Sequence, residues 1–171
     1  AGMAHKVHKV ERPGFPLSAY ADPQAFKLYL SDVGLLRRLS RLPASALYEE
    51  NPLFAEFKGA LTENFVLTEI LSLSGDLPFY WRSGNTAEVD FLLQAEHSIL
   101  PMEVKASTNV RSRSLSVYRE KYQPEMAVRA SMNDLKQEEG LLNFPLYALW
   151  ALKKHLRYDT GDALPKQPDI T

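Results

Sequence analysis

Two charged tripeptides carry the residue types best suited to chemistry in this sequence. They are Glu-Val-Asp, which ends at Asp90, and Glu-Val-Lys, which begins at Glu103. Each adjoins an apolar run typical of a β-strand, and a short polar segment separates the two runs. Because side chains alternate between the faces of a strand, Glu88 shares a face with Asp90, and Glu103 shares one with Lys105. If the strands pair, three carboxylates and one ammonium gather on one side of a sheet, where a metal, ion pairs or water must offset their charge.

Such a cluster suits a hard divalent cation. Mg²⁺ prefers oxygen ligands and keeps several waters, so one or two carboxylates suffice, and Asp90 and Glu103 would supply them. A metal held there polarises a phosphoryl oxygen and lowers the pKa of a bound water. Lys105 should stay protonated among carboxylates, which favours orienting that water and stabilising phosphate charge over general-base work. The alternative is an exposed sheet face with cross-strand ion pairs, for example Glu88 with Lys105.

A further acidic residue lies on the helix predicted before these strands. Asn51-Pro52 predicts the start of this helix, and Ser74-Gly75 predicts its end. Glu63 lies three, four and seven positions from apolar residues of the same helix, on the stripe that should face the core. Glu63 would then reach the metal directly or through water. The alternative is a residue at the edge of the stripe whose carboxylate extends into solvent.

The rest of the chain alternates between predicted strands and helices. We expect a strand over 3–10, a helix start at Asp22-Pro23 with a strand near 26–30, and a helix from Asp32 to Leu39. Further strands are expected over 77–82, 125–131 and 141–144, and further helices over 111–122 and 145–156. The pattern predicts an α/β fold with a mixed sheet of about four or more strands flanked by helices.

Composition limits the classes of function. The 171 residues have a formal net charge of −1 and no cysteine, which excludes disulfides, thiolate metal sites and thiol nucleophiles. With so little net charge, any nucleic-acid contact must come from a local basic patch. No apolar run reaches the roughly 20 residues of a membrane span, and no signal-peptide pattern is present, so we expect a cytoplasmic protein that does not contact a membrane. A phosphate loop of the Gly-x-x-x-x-Gly-Lys type is also missing, so no ATP site is expected in this chain.

Basic and aromatic residues near the two tripeptides are weaker candidates for contact with nucleic acid. Arg82 ends a predicted strand beside a turn and could reach a phosphate. Arg111 and Arg113 begin a basic strip on the following helix, for which a solvated helix face is the alternative. Tyr80 and Trp81 could stack on a base, but aromatic residues of a strand more often belong to the core.

The same residues resemble the active site of a known superfamily. Glu63, Asp90 and the Glu-Val-Lys at 103–105 are similar to the pattern of the PD-(D/E)xK nucleases. The chain as a whole resembles, over about 16–152, the uncharacterised domain found C-terminal to an AAA-type ATPase module in many bacterial and archaeal proteins. The motifs that carry this second resemblance are Phe26–Leu36, Phe79–Arg82, Glu88–Phe91 and Glu103–Lys105.

The resemblance implies a restriction-endonuclease-like domain over 18–157. It implies that 1–17 is the tail of an upstream winged-helix-like linking region, and that an ATPase module precedes it in the natural chain; 158–171, rich in Pro, Gly and Asp, is expected to be a disordered tail. The implied activity is hydrolysis of DNA phosphodiesters with Mg²⁺ or Mn²⁺, as an endo- or exodeoxyribonuclease. Asp90, Glu103 and Glu63 would hold the metal, and Lys105 would orient the water.

Two other classes of function stay open. The first is a non-catalytic nuclease-fold module that binds nucleic acid or a protein partner under the control of the ATPase; the near-neutral charge favours it, whereas the presence of all four site residues favours the enzyme. The second is a structural or oligomerisation domain, which a large exposed apolar patch would favour. Ser114 and Tyr118 hold the spacing at which RecB-type nucleases carry Gln and Tyr, so that branch says little about the substrate.

Overall fold

The structure is a computed structural model that describes residues 2–47, 54–84, 87–95, 98–107 and 113–156. Within these ranges the chain forms an eight-stranded mixed sheet and four α-helices, which confirms the α/β class. The strands are β1 (Ala4–Val10), β2 (Ala21–Leu30), β3 (Phe79–Ser83), β4 (Ala87–Gln94), β5 (Ile99–Val104), β6 (Ala127–Ser131), β7 (Lys136–Glu138) and β8 (Leu141–Pro145). The helices are α1 (Val33–Leu39), α2 (Ala55–Ser74), α3 (Arg113–Tyr122) and α4 (Leu152–Leu156), with 3-10 turns at Leu17–Tyr20, Ala44–Leu47 and Leu146–Ala151.

The order of strands across the sheet is β2-β1-β3-β4-β5-β6-β8-β7. β1 pairs antiparallel with β2 on one side and parallel with β3 on the other. Residues 4–10, expected from the sequence to belong to an upstream linking region, thus supply the hydrogen-bonding partner of two strands of the same sheet. The two apolar runs are neighbouring strands, as predicted, and the central pair of β4 with β5 is antiparallel.

Helices cover both faces of the sheet, and each face has its own apolar core. On the side that we call the α2 face, residues of α2 pack against Phe91 and Met102. On the opposite side, the α3 face, residues of α3 pack against Val89 and Trp81. The Trp81 ring meets the Tyr118 ring edge-on with centroids 5.2 Å apart. The core assignment of Tyr80 and Trp81 is confirmed, since both are buried.

Local signals at two helix ends were interpreted correctly. Asp32 is the N-cap of α1, and its Oδ1 accepts a hydrogen bond from Leu35 N at 2.6 Å. α2 ends at Gly75, which adopts the left-handed conformation with φ 77° that glycine tolerates best. The predicted start of α2 at Asn51-Pro52 lies outside the described residues.

The helix start predicted at Asp22-Pro23 is wrong. Both residues lie in β2, and the register against β1 jumps from His8↔Phe26 to Lys9↔Asp22, so that 23–25 bulge out of the ladder. Proline is tolerated there because β2 is an edge strand, where a missing N–H costs no ladder bond on the open side. The Asp22 carboxylate accepts from Gln24 N at 2.9 Å, which stabilises a bulge rather than a helix.

One buried polar residue links α2 to the edge of the sheet. Asn64 is 1% exposed, its Oδ1 accepts from Leu30 N at 2.8 Å, and its Nδ2 donates to Leu30 O at 2.8 Å. The primary amide thus satisfies both backbone groups of the last residue of β2. Among the helices described, none combines the length and apolar character of a membrane-spanning segment.

Candidate charged site

A β-bulge in β4 decides the direction of Asp90. The register of β3 against β4 shifts at this point, so that Asp90 and Phe91 together lie opposite Tyr80. Val89 and Leu92, on either side of this pair, pack in the α3-face core, whereas Phe91 and Tyr80 pack in the α2-face core. Asp90 therefore lies on the α2 face together with Phe91, and the strict alternation of an unbroken strand does not hold.

Lys27 of β2 lies among three carboxylates on the α2 face. Its Nζ lies 2.6 Å from Glu88 Oε1, 3.3 Å from Glu63 Oε2 and 3.7 Å from Asp90 Oδ1. We call these four residues the Lys27 cluster. Tyr29, which shares a strand face with Lys27, donates its hydroxyl hydrogen to Glu63 Oε2 at 3.0 Å. The cluster thus ties an edge strand, a helix and the centre of the sheet together.

Partial burial makes the charges of the Lys27 cluster interact strongly. The side chains of Lys27 and Asp90 are only 24% and 13% exposed. Burial, followed by the charge of Glu63, raises the pKa of Asp90 to about 7, although Lys27 and the Val104 amide act in the opposite direction. Burial alone would lower the pKa of Lys27, but the three carboxylates outweigh it and raise that pKa. Three carboxylates against one ammonium leave the cluster with excess negative charge.

Tyr29 is held neutral by the same surroundings. Burial, and then the neighbouring charge of Glu63, raise the pKa of the Tyr29 phenol. Its hydroxyl therefore remains a hydrogen-bond donor to Glu63 across the physiological pH range.

Glu103 and Lys105 lie in different surroundings. Met102 and Val104, which flank Glu103 on β5, belong to the α2-face core, so Glu103 points to the α3 face. Glu103 is 3% exposed, and its Oε1 lies 2.8 Å from Lys105 Nζ. Arg129 of β6 is its partner in the strand register. Burial raises the pKa of Glu103, and Lys105 and Arg129 oppose that rise.

The charged group on the α3 face is incompletely hydrogen-bonded. Glu103 Oε2 and Arg129 Nε are both buried, and neither has a hydrogen-bond partner among the described residues. Buried polar atoms without partners are rare in folded proteins, since each costs free energy.

The structure does not bring the four predicted catalytic residues to one point. Glu63 and Asp90 meet in the Lys27 cluster, whereas Glu103 pairs with Lys105 on the other face. The shared face predicted for Asp90 and Glu103 is wrong, because the bulge in β4 breaks the alternation on which that prediction rested. The two carboxylates are still close enough across the β4–β5 pair for Glu103 to contribute to the raised pKa of Asp90.

This arrangement does not fit a divalent cation shared by Asp90 and Glu103. Asp90 Oδ2 accepts from Val104 N at 2.8 Å while its Oδ1 faces Lys27, and Glu103 Oε1 faces Lys105. Across the part of the chain that the structure describes, no three His, Cys, Asp or Glu side chains are arranged to hold a metal ion. In the Lys27 cluster, the ammonium of Lys27 already lies among the three carboxylates.

The arginines predicted to contact nucleic acid have different surroundings. The Arg82 side chain is 53% exposed, and its Nε lies 3.8 Å from Glu88 Oε2, at the margin of the Lys27 cluster. Glu88 therefore pairs with Lys27 and Arg82, and not with Lys105 as the ion-pair alternative supposed. Arg113 is exposed at the start of α3, and Arg111 lies outside the described residues.

Sequence reasoning missed Lys27 and Tyr29 as members of the site. The signal was present, since Lys27 and Tyr29 occupy alternate positions of the apolar run 26–30 and must share a face if that run is a strand. A lysine on the inner face of a strand needs an acidic partner. Nothing in the sequence, however, says that this partner comes from α2 and β4.

The described residues thus define a mixed α/β domain with a charged cluster at the meeting of a sheet edge and a helix. The chain belongs to the family described as Domain of unknown function (DUF4143), which matches residues 58–149, more than half of its length. This domain is found in ATPase-associated proteins. The matched range contains Glu63, Asp90, Glu103 and Lys105, whereas Lys27 precedes it.

Two mycobacterial proteins are similar to part of the chain. The uncharacterised proteins Rv2008c of Mycobacterium tuberculosis and Mb2031c of Mycobacterium bovis are each 35% identical to it over 91 residues. The match covers 52% of this chain and 20% of each relative, so the chain corresponds to only a small part of the relatives it matches. No solved structure matches the chain significantly.

Proposed function

We propose that this chain is a nuclease-like module that binds DNA without cleaving it, under the control of an ATPase module in the natural protein. The observation that carries the proposal is that the candidate catalytic residues form ion pairs in two separate groups. Lys27 Nζ lies within 3.7 Å of three carboxylates on one face, and Lys105 pairs with Glu103 on the other. Nucleic acid is the partner that the resemblance to the PD-(D/E)xK nucleases favours.

The sheet separates the candidate catalytic residues into two groups, and this separation argues against hydrolysis in this arrangement. Phosphodiester cleavage needs the acidic residues and the lysine at one reacting phosphate, because positioning and electrostatic stabilisation supply most of the rate. A phosphate on the α2 face would meet Glu63 and Asp90, but the Glu103–Lys105 pair belongs to the α3 face.

A Mg²⁺- or Mn²⁺-dependent DNA hydrolase is the second candidate, and one observation favours it. The Lys27 cluster carries more negative than positive charge in a partly buried place, which a divalent cation could offset. For this candidate, Lys27 must leave the carboxylates, and Glu103 must turn toward Asp90.

A combined binding and cleavage assay separates the two candidates. Labelled single-stranded, double-stranded and branched DNA is incubated with this chain, and with a protein that also carries the ATPase module, in Mg²⁺ or Mn²⁺. We expect a rise in fluorescence anisotropy with intact DNA. Cleavage that falls by about two to three orders of magnitude in Lys105→Ala would favour the hydrolase and overturn the proposal. Lys136→Ala, at an exposed site on β7, controls for contaminating nuclease. A lack of binding by both proteins would equally reject the proposal.

Metal binding gives an independent comparison. Isothermal titration with Mg²⁺ should show no heat that depends on Asp90, because Lys27 already neutralises part of the cluster. The hydrolase instead requires weak binding that Asp90→Asn abolishes, since the amide removes an anionic ligand with little change of shape.

A further inference from the structure

Three arginines at or just beyond the C-terminal end of α1 belong neither to the Lys27 cluster nor to the Glu103–Lys105 pair. Arg37, Arg38 and Arg41 line an open cavity of about 750 Å³. The other residues that line it are Leu39, Leu42, Pro43 and Ala44, and none of them is acidic. Of the residues that the structure describes, no carboxylate forms an ion pair with these three guanidinium groups. The site is therefore a local concentration of positive charge on a chain whose net charge is −1.

The backbone at Arg41 gives a second, independent observation. Arg41 has a φ of 54°, in the left-handed region, directly after the end of α1. Leu42 N donates to Arg37 O at 3.2 Å, and Arg41 N donates to Arg38 O at 3.1 Å, which is the pattern of a helix end that favours glycine. α2 uses Gly75 in the left-handed conformation at its own end.

For the backbone conformation alone, an arginine at position 41 is less favourable than a glycine would be. Side chains with a Cβ are disfavoured in the left-handed region, although Gln123, directly after α3, also has a positive φ of 46°. Arg41 differs in that it lines a cavity together with two further arginines. Favourable interaction with the helix dipole explains cations in the last turn of α1, which holds Arg37 and Arg38. It does not explain the third arginine, Arg41, which lies beyond the helix.

We propose that Arg37, Arg38 and Arg41 form the contact site for the phosphodiester backbone of DNA. The guanidinium group is planar, remains charged, and donates two parallel hydrogen bonds to a phosphate. Three such groups beside one cavity, without neighbouring carboxylates in the described part of the chain, match a row of phosphates. The ligand rests on the proposed function, whereas the site itself rests on the arginines and the conformation of Arg41.

Arg41→Gly separates binding from folding. Glycine relieves the left-handed strain, so the thermal midpoint should stay the same or rise. Affinity for double-stranded DNA should nevertheless fall, and the slope of log K against log salt should decrease in magnitude by about 1. Arg41→Asn, which also tolerates the left-handed conformation, should act in the same direction. Anisotropy titrations at several salt concentrations measure both quantities.

The matched control and the triple variant complete the experiment. Arg37→Gln/Arg38→Gln/Arg41→Gly should decrease the slope by about 3. Lys136→Ala removes one positive charge from β7, at the opposite edge of the sheet from β2, and should leave the slope unchanged. Wild-type binding with an unaltered slope in the triple variant would overturn the site but not the DNA-binding proposal. If the wild type itself binds no DNA, the proposed function fails, and the assignment of DNA as the ligand fails with it.

Discussion

Lys27 supplies the positive charge that holds the carboxylates of the Lys27 cluster together. Its ammonium is shared by three carboxylates, and its side chain is 24% exposed. Lys27→Met keeps most of the apolar part of the side chain but leaves the carboxylates to repel one another. We expect the free energy of unfolding to fall by about 1 to 3 kcal/mol at neutral pH, below the full cost of breaking a buried pair because water reaches the cluster.

Urea denaturation at neutral and acidic pH checks this prediction. The loss should shrink as the carboxylates take up protons, because less negative charge is then left without a partner. Lys136→Met is the matched control: its pair with Glu138 is exposed to solvent, so its removal should change the free energy of unfolding far less than Lys27→Met does. Equal effects of the two substitutions would mean that the Lys27 cluster contributes no more than a surface pair.

Asp90 should make the stability of the fold depend on pH. Its pKa rises from the ordinary 3.8 to about 7, so the folded state holds the proton more tightly than the unfolded chain does. Its contribution to stability is therefore full below about pH 4 and is lost as the pH rises to about 7. Asp90→Asn cannot titrate, yet keeps an oxygen to accept the hydrogen from Val104 N. The free energy of unfolding of the variant should vary less with pH across this window, and coincident pH profiles of variant and wild type would contradict the assignment.

At the scale of elements, α2 holds the edge strand β2 through Asn64. Asn64→Leu should lower the free energy of unfolding by about 2 kcal/mol, because the partly buried N–H and C=O of Leu30 both lose their partner. Asn64→Asp is the control, since it retains the acceptor for Leu30 N but removes the donor to Leu30 O. Denaturant titrations of both variants test whether the amide donor is needed. A stability of Asn64→Leu equal to that of the wild type would show that water replaces both bonds.

The elements were predictable wherever one local signal determined the outcome. The N-cap of α1 at Asp32 and the end of α2 at Gly75 follow from short-range hydrogen bonding and backbone preference. Asp22-Pro23 gives the same local signal as a helix start, but pairing with β1 overrides it. β7 is three residues long and polar, so it has no pattern to recognise. The bulge at Asp90 arises from the register of β3 against β4, which a single strand does not encode.

The same limit applies to the candidate site. The sequence predicted that Asp90 and Glu103 would lie on adjacent strands, because each residue adjoins its own apolar run. It could not predict that the two side chains lie on different faces. The extra residue of the β-bulge in β4 moves the earlier side chains of that strand to the opposite face. Nor could it predict Lys27 as the partner of Glu63, because that contact joins segments far apart in the chain.

At the scale of the whole molecule, the sheet is continuous from β1 to the strands that carry the site. Deletion of 1–17 removes β1 and would leave β2 and β3 without their shared neighbour. We expect the shortened protein to lose its cooperative thermal transition, because two ladders and part of both cores are lost. Deletion of 158–171, predicted from sequence to lie outside the domain, is the control of similar length and should preserve the transition. A folded protein without 1–17 would restore the boundary that the sequence suggested.

The edge at β2 also determines how a second polypeptide could extend this sheet. Along its open side, β2 offers backbone groups to an incoming strand, as edge strands do. At Leu30 the backbone N–H and C=O are not available to an incoming strand, because both are hydrogen-bonded to the Asn64 side chain. At the other end, the bulge over 23–25 interrupts the regular spacing of these groups. An added strand can therefore pair only with the few residues between the bulge and Leu30, so that any assembly built through this edge would rest on a short ladder.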